Sequence, residues 1–258
     1  MIRFSILGSG SRGNASLVES RDTLLLLDCG FSYRELVKRM AVVGRLPQDL
    51  TAVLITHEHS DHISGLSVLA AKHALPVYMT MGTRLAMKTP LSAQSAKNLV
   101  VVRPGQAVQI GAISVMPFAV PHDAREPAQY LFSSSRRRIA FLTDCGAVTP
   151  HIRDTIATPD ALVIECNHDE DMLRSGSYPH SLKKRIAGGY GHLSNRETVA
   201  LIQQMDHGRI QSLVGAHLSD ENNCPELVRA CLLERLELDP GKIHVARQNS
   251  VLPWLEIL

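Results

Sequence analysis

Residues 57 to 62 read His-Glu-His-Ser-Asp-His, three imidazoles and two carboxylates in six consecutive positions. Imidazole nitrogens and carboxylate oxygens are the ligands that proteins offer to divalent cations, so metal binding is the chemistry this run suggests. The apolar segment Ala52-Val53-Leu54-Ile55-Thr56 precedes it. Side chains alternate along an extended chain, which turns His57 and His59 to one side and lets both grip one ion. Asp61 and His62 fall where the chain enters the apolar-periodic stretch Ile63 to Leu75, a predicted helix, and so can face a second ion nearby. A bland surface loop has no use for so many titratable groups without partners.

Three further side chains follow the same rule, a polar residue at the end of an apolar strand or beside a turn. These are His122 in Pro121-His122-Asp123, Asp144 after Ile139-Ala140-Phe141-Leu142-Thr143, and His217 after Leu213-Val214-Gly215-Ala216. Taken singly, each histidine reads as an ordinary surface or satisfied residue. Added to the first cluster, they supply the roughly seven ligands, one of them shared, that a pair of divalent ions requires. The expected division is His57, His59 and His122 on one ion, Asp61, His62 and His217 on the other, with Asp144 bridging. Zinc, manganese and iron all accept such a mixed set. Two ions acidify a bridging water enough to make hydroxide the nucleophile near neutral pH, and they neutralise charge on an attacked phosphoryl group. Asp61 is then expected to orient the nucleophile as well as ligate metal.

Strands must deliver these residues. Short apolar runs separated by tight polar turns predict strands at Ile2 to Leu7, Ala15 to Glu19 and Leu24 to Asp28, then one ending at Thr56. Further strands are expected at Val77 to Thr80, Leu99 to Val102, Ala107 to Ile110, Ile113 to Pro117, Tyr130 to Ser133, Ile139 to Asp144, Ala161 to Glu165, Ser212 to Ala216, Ile243 to Ala246 and Val251 to Ile257. Helical periodicity marks Tyr33 to Val43, Thr149 to Ala157, Asn195 to Met205 and Pro225 to Glu237. No linker, charge block or repeat marks a boundary, so residues 1 to 258 are expected to form a single domain. Two mixed sheets with helices outside, an α/β arrangement, would satisfy the rules for packing layers.

Composition narrows the class. With 45% hydrophobic and 20% charged residues the chain can bury a full core. A formal net charge of +2 announces no polycation, so any basic surface for nucleic acid must be local. The five cysteines show no C-x-x-C pair and no framework spacing, which reads as reduced thiols in a cytoplasmic protein. No signal-peptide pattern and no apolar run of membrane-spanning length is present, so export and membrane insertion are not expected.

The H-x-H-x-D-H run, Asp28 at a strand end, and the spaced His122, Asp144 and His217 resemble the metallo-β-lactamase superfamily. The resemblance implies a four-layer αββα sandwich with a dinuclear site at one edge. More narrowly, Gly8 to Ser16, Thr143-Asp144-Cys145-Gly146, Glu165-Cys166-Asn167-His168-Asp169, Gly191-His192-Leu193-Ser194-Asn195 and Ala216 to Asn223 are similar to the bacterial YycJ/WalJ group. That likeness implies a DNA exonuclease, acting 5′ to 3′, on single- or double-stranded DNA. The surroundings of His192 and His217 also resemble ribonuclease Z, which implies a catalytic role for His192. The same metals could instead hydrolyse a thioester, a lactam or a cyclic phosphodiester. A binding module without turnover is expected to lack part of the ligand set, and here every position is filled.

Ser194-Asn195-Arg196-Glu197 has capping-box spacing, which sets His192 just outside a helix N-terminus where a phosphate could dock. The positive helix end is expected to depress the proton affinity of His192 until a phosphate restores it. Gly8, Gly10 and Gly13 allow backbone N–H groups to face a phosphate, and Asn14 either holds that loop or touches substrate. Ser11, Asn14, Asn167, His168, Ser194 and Asn222 are the candidate substrate contacts. Asp28 is expected to support the metal loop through hydrogen bonds. Arg136-Arg137-Arg138 reads as a solvated hairpin tip that could also meet phosphates.

Overall fold

The computed structural model describes residues 1–258. The first half of the chain forms β1 (Ile2–Gly8), β2 (Ala15–Ser20), β3 (Thr23–Leu27), α1 (Tyr33–Val42), β4 (Ala52–Leu54), α2 (Ser60–Ile63), α3 (Leu66–His73), β5 (Val77–Met79), α4 (Met81–Ala86), α5 (Ala93–Ala96) and β6 (Leu99–Val101). The second half follows with β7 (Val108–Ile110), β8 (Ile113–Ala119), β9 (Ala128–Ser134), β10 (Arg137–Leu142), α6 (Pro150–Thr155), β11 (Ala161–Glu165), α7 (Glu170–Ser175), α8 (His180–Ile186), α9 (Asn195–Gln203), β12 (Ser212–Ala216), α10 (Pro225–Arg235), β13 (Ile243–Val245) and β14 (Leu252–Ile257).

Two seven-stranded sheets result, ordered β14-β1-β2-β3-β4-β5-β6 and β13-β12-β11-β10-β9-β8-β7. Each is antiparallel on one side and parallel on the other. The switch falls at β3 in the first sheet and at β10 in the second. Phe4, Tyr130, Phe132 and Phe141 fill the space between the sheets. Leu36, Met40, Leu66 and Leu69 bury the outer face of the first sheet under α1 and α3, while Val199, Ile202, Val228 and Leu232 do the same for the second under α9 and α10. Helix, sheet, sheet and helix therefore stack in four layers, each apolar face covered by the next. No helix is long and apolar enough to cross a membrane.

The expected helix from Ile63 to Leu75 is instead two helices. It begins earlier, at Ser60, and breaks at Gly65, where the backbone passes so close to the Phe31 carbonyl that a Cβ would collide with it. Helices α4, α5, α7 and α8 had no expectation from sequence, since four to seven residues are too few to display a 3.6-residue period.

Candidate metal centre and cleft

The parallel strands β3, β4, β10, β11 and β12 all end on one edge of the sandwich, where open α/β sheets commonly build sites. Asp28, His57, Asp144, Glu165 and His217 are at or just beyond those ends. Three of them adopt left-handed backbone conformations: Asp28 (φ 61°), Asp144 (φ 50°) and His217 (φ 55°). Such conformations cost on the order of 1–3 kcal/mol each and persist where the surroundings over-determine them. Here hydrogen bonds do so. The Asp28 carboxylate accepts from the Thr56 N–H (2.9 Å) and is paired with His62 Nδ1 at 2.8 Å. The Asp144 N–H donates to Glu165 Oε1 (3.2 Å), and the His217 N–H donates to Ser9 Oγ (2.9 Å). Asp28 thus braces the loop that carries His62, the supporting place foreseen for it.

Seven side chains converge at this edge. His57, His59 and His122 bring ligand atoms within 4.8 Å of one another, and so do Asp61, His62 and His217. Asp144 lies between the two sets, 3.3 Å from His62 Nε2, 3.5 Å from His217 Nε2 and 3.7 Å from His122 Nε2. The outer nitrogens of the rings are held from behind. His122 Nδ1 meets the Gly191 carbonyl (3.2 Å), His217 Nδ1 meets Glu165 Oε1 (3.0 Å), and His57 Nδ1 meets Thr56 Oγ1 (3.0 Å). Donating an Nδ1 proton outward leaves Nε2 with a lone pair facing inward, the usual preparation of a metal-binding imidazole. Three buried atoms aimed into this space have no hydrogen-bond partner: His122 Nε2, His217 Nε2 and Asp144 Oδ2. Leaving such groups unsatisfied costs about 1–3 kcal/mol each, and divalent cations would satisfy all three. The donor set fits that group.

The electrostatics agree with a site built for positive charge. Burial raises the proton affinity of Asp144, yet His217 and His62 outweigh it and hold this carboxyl well below the ordinary range. Burial likewise opposes a charge on His62, but Asp28, Asp144 and Asp61 keep its pKa well above that of a free imidazole. His217 is lifted to about 10, against burial, by the nearby carboxylates Asp144, Asp61 and Glu165, the last of which it bonds through Nδ1. His57 and His122 go the other way, pushed down mainly by burial. The carboxylates draw protons onto the nearest rings.

A model of the beta-lactamase superfamily domain matches residues 23–217. The chain belongs to the metallo-β-lactamase superfamily. It is 35% identical over 263 residues to exodeoxyribonuclease WalJ of Streptococcus pneumoniae, covering 99% of this chain and 98% of that protein. It is 37% identical to exodeoxyribonuclease YycJ of Bacillus anthracis, over 92% of this chain and 89% of the relative. The metallo-β-lactamase fold protein YhfI of Bacillus subtilis superposes with a TM-score of 0.70 at 17% identity, covering 97% of this chain and 99% of that one. That likeness carries the fold.

In this superfamily member a cleft of about 370 Å³ opens over the cluster. His192 stands at its wall, with Nδ1 held 2.8 Å from Glu165 Oε1. The depressed proton affinity expected for His192 is not found. Burial does oppose its charge, but Glu165 and Asp144 overcome that and raise it. At the helix end, three N–H groups already have partners inside the protein. The Ser194 and Glu197 N–H groups are taken by the reciprocal capping box, and the Asn195 N–H by the His168 carbonyl.

Of the candidate substrate contacts, Ser11 and Asn167 border the cleft. Asn14, Ser194 and Asn222 do not, being buried with their polar atoms used inside the protein. Asn14 bonds Ser9, Gly10 and Asp61, which ties the opening glycine loop to the metal loop. Ser194 caps α9, and Asn222 secures the start of α7 through its carbonyl. His168 is also buried and faces a different cavity. The arginine tip lies at the far end of β10 from Asp144, about 20 Å away at strand rise, and Arg137 and Arg138 are bound to Asp160, Thr155 and Thr158.

Glu165 is the residue that sequence reasoning passed over. Its carboxylate, fully buried, accepts from the N–H groups of Asp144, Cys145 and Leu193 and holds both His192 and His217. Burial works against its charge, yet these rings bring it down to about 2. The available signal was a carboxylate closing the apolar run Ala161 to Ile164, since ionised residues are almost never fully buried unless paired. Tyr178 and Arg185 of the cleft wall gave no such sign.

Proposed function

We propose that this protein is an exodeoxyribonuclease that hydrolyses phosphodiester bonds of DNA with two divalent ions, zinc or manganese, held by His57, His59, Asp61, His62, His122, Asp144 and His217. The observation that carries the reading is the pair of triads around the buried, unpaired Asp144 oxygen, on a chain alike over nearly its whole length to proteins named exodeoxyribonucleases. Bound ions would acidify a water nucleophile and offset charge on the phosphoryl oxygens. Asp61, at the cleft wall, would help hold the ions and orient the attacking water. Glu165 anchors His192 through Nδ1 and leaves Nε2 free to meet the substrate. Its raised proton affinity suits donation to the leaving oxygen. Contributions from both sheets to one centre support reading residues 1–258 as a single domain. All five cysteines are unpaired, in keeping with a cytoplasmic enzyme.

Incubating purified protein and manganese or zinc with DNA labelled at either end, single- and double-stranded, tests this directly. Stepwise release of nucleotides is expected, with the label released first giving the polarity, 5′ to 3′ on the family resemblance. Turnover of a thioester or cyclic nucleotide with intact DNA would reassign the site to a small molecule. The His192→Ala variant should lose about 100-fold in kcat at saturating metal, the scale of a general acid.

A further inference from the structure

Helix α8 separates the catalytic cleft from a second cavity of about 360 Å³. Its residues divide by helical spacing. Leu182, Arg185 and Ile186 border the cleft, while His180, Lys183 and Ala187 border the second cavity. The same division occurs after β11, where Asn167 faces the cleft and the next side chain, His168, faces the second cavity. The two spaces are thus back to back across one helix, about 10 Å in diameter.

His168 is 2% exposed, and its buried Nδ1 has no hydrogen-bond partner. Nothing in the cleft uses it. Burial lowers its proton affinity, so it stands in the wall as a neutral ring able to donate or accept one hydrogen bond. Arg174 and Lys183 bring cationic donors to the same wall. Lys183 donates to the Arg174 carbonyl (2.8 Å), which leaves two of its three N–H bonds for a ligand. The acidic residue lining this cavity, Glu170, already accepts from Ser194 Oγ (3.1 Å) and Arg196 (3.2 Å), so its charge is answered.

We propose that this second cavity binds a phosphate monoester, with His168 at its buried wall and Arg174 and Lys183 at its mouth. A phosphate monoester presents three acceptor oxygens to these donors, one more than an internal diester leaves free. Resting on the nuclease reading, the ligand is either the terminal phosphate of the DNA strand or the phosphate of a released nucleotide. Both present the same oxygens to the same donors.

Kinetics on single-stranded oligonucleotides ending in phosphate or hydroxyl, at each end in turn, test the proposal, with Lys183→Gln and Lys183→Arg alongside. A terminal phosphate is expected to lower KM about tenfold, the scale of a charge-assisted hydrogen bond. Lys183→Gln should shrink that difference to within about twofold, and Lys183→Arg should restore it. The kcat, and turnover of a small phosphodiester, should be unchanged in both. Calorimetric titration with a deoxynucleoside monophosphate distinguishes the second source. Affinity weakened by Lys183→Gln, with no effect of strand ends, assigns the cavity to released product. Equal KM for both ends and equal mononucleotide affinity in wild type and Lys183→Gln would overturn the proposal while leaving DNA cleavage standing. Failure to cleave any DNA would instead remove the nuclease reading, and the titration would still decide whether the cavity takes phosphate.

Discussion

Asp144 and His217 hold their side chains in place at a cost in backbone energy, since left-handed conformations crowd the Cβ of any residue but glycine. Removing that crowding at His217 should show in stability. In metal-free protein unfolded by urea, His217→Gly is expected to be more stable than His217→Ala by about 1 kcal/mol, because both lose the imidazole but only the alanine keeps the strain. An equal or reversed order would mean that φ 55° at this position is unstrained. Protons supply a second test. His62 and His217 carry raised proton affinities in the metal-free cluster, so each must give up a proton before its nitrogen can bind a cation. Apparent metal affinity is therefore expected to climb from about pH 6 to about pH 8 with net proton release, read from calorimetry in buffers of different ionisation enthalpy. A flat affinity without proton release would contradict these charge states. For the metal-free fold the sign is opposite. The proton held on His217 contributes its full stability below the ordinary imidazole value of 6.5, and that contribution declines as pH rises from there to about 10. At this scale the sequence was legible where ligands cluster in six positions. It was opaque at Glu165, whose partners are 20 to 52 residues away in the chain.

Loops do the positioning between elements. The turns after β3 and before β2 lock the metal loop through backbone bonds, with the Cys29 N–H donating to the His62 carbonyl and the Asn14 N–H to the Asp61 carbonyl. Gly30 sits within that lattice, and a Cβ there would strike the Asp61 carbonyl and the Asn14 nitrogen. Gly30→Ala is accordingly expected to push Asp61 and His62 out of line. Metal retained after dialysis should fall by at least about tenfold, the loss seen when supports of metal ligands are disturbed, with far-ultraviolet circular dichroism little changed. Full metal content in that variant would show that the lattice tolerates displacement. The strands that end in ligands were readable from sequence, because short continuous apolar runs closed by a polar residue mark parallel strands buried on both faces. Helices α7 and α8 were not, since α8 buries none of its side chains and leaves no apolar stripe to read.

Across the molecule, two seven-stranded sheets meet so that the carboxyl ends of their parallel strands share one edge. The first sheet supplies the His57 to His62 loop, and the second supplies His122, Asp144 and His217. Neither sheet alone completes a ligand set. Two mixed sheets with helices outside could be anticipated from strand count and layer packing, and the four-layer sandwich from the family resemblance, while the distances could not. The central claim is that these side chains hold divalent ions that cleave DNA. Chelator-stripped protein, its metal content checked by mass spectrometry, should be assayed on end-labelled DNA before and after manganese or zinc is restored, with Asp144→Asn in parallel. The account predicts loss of nucleotide release on stripping, recovery on adding metal, and no recovery in Asp144→Asn. Undiminished DNA cleavage by the stripped protein, or full activity in the variant, would contradict it.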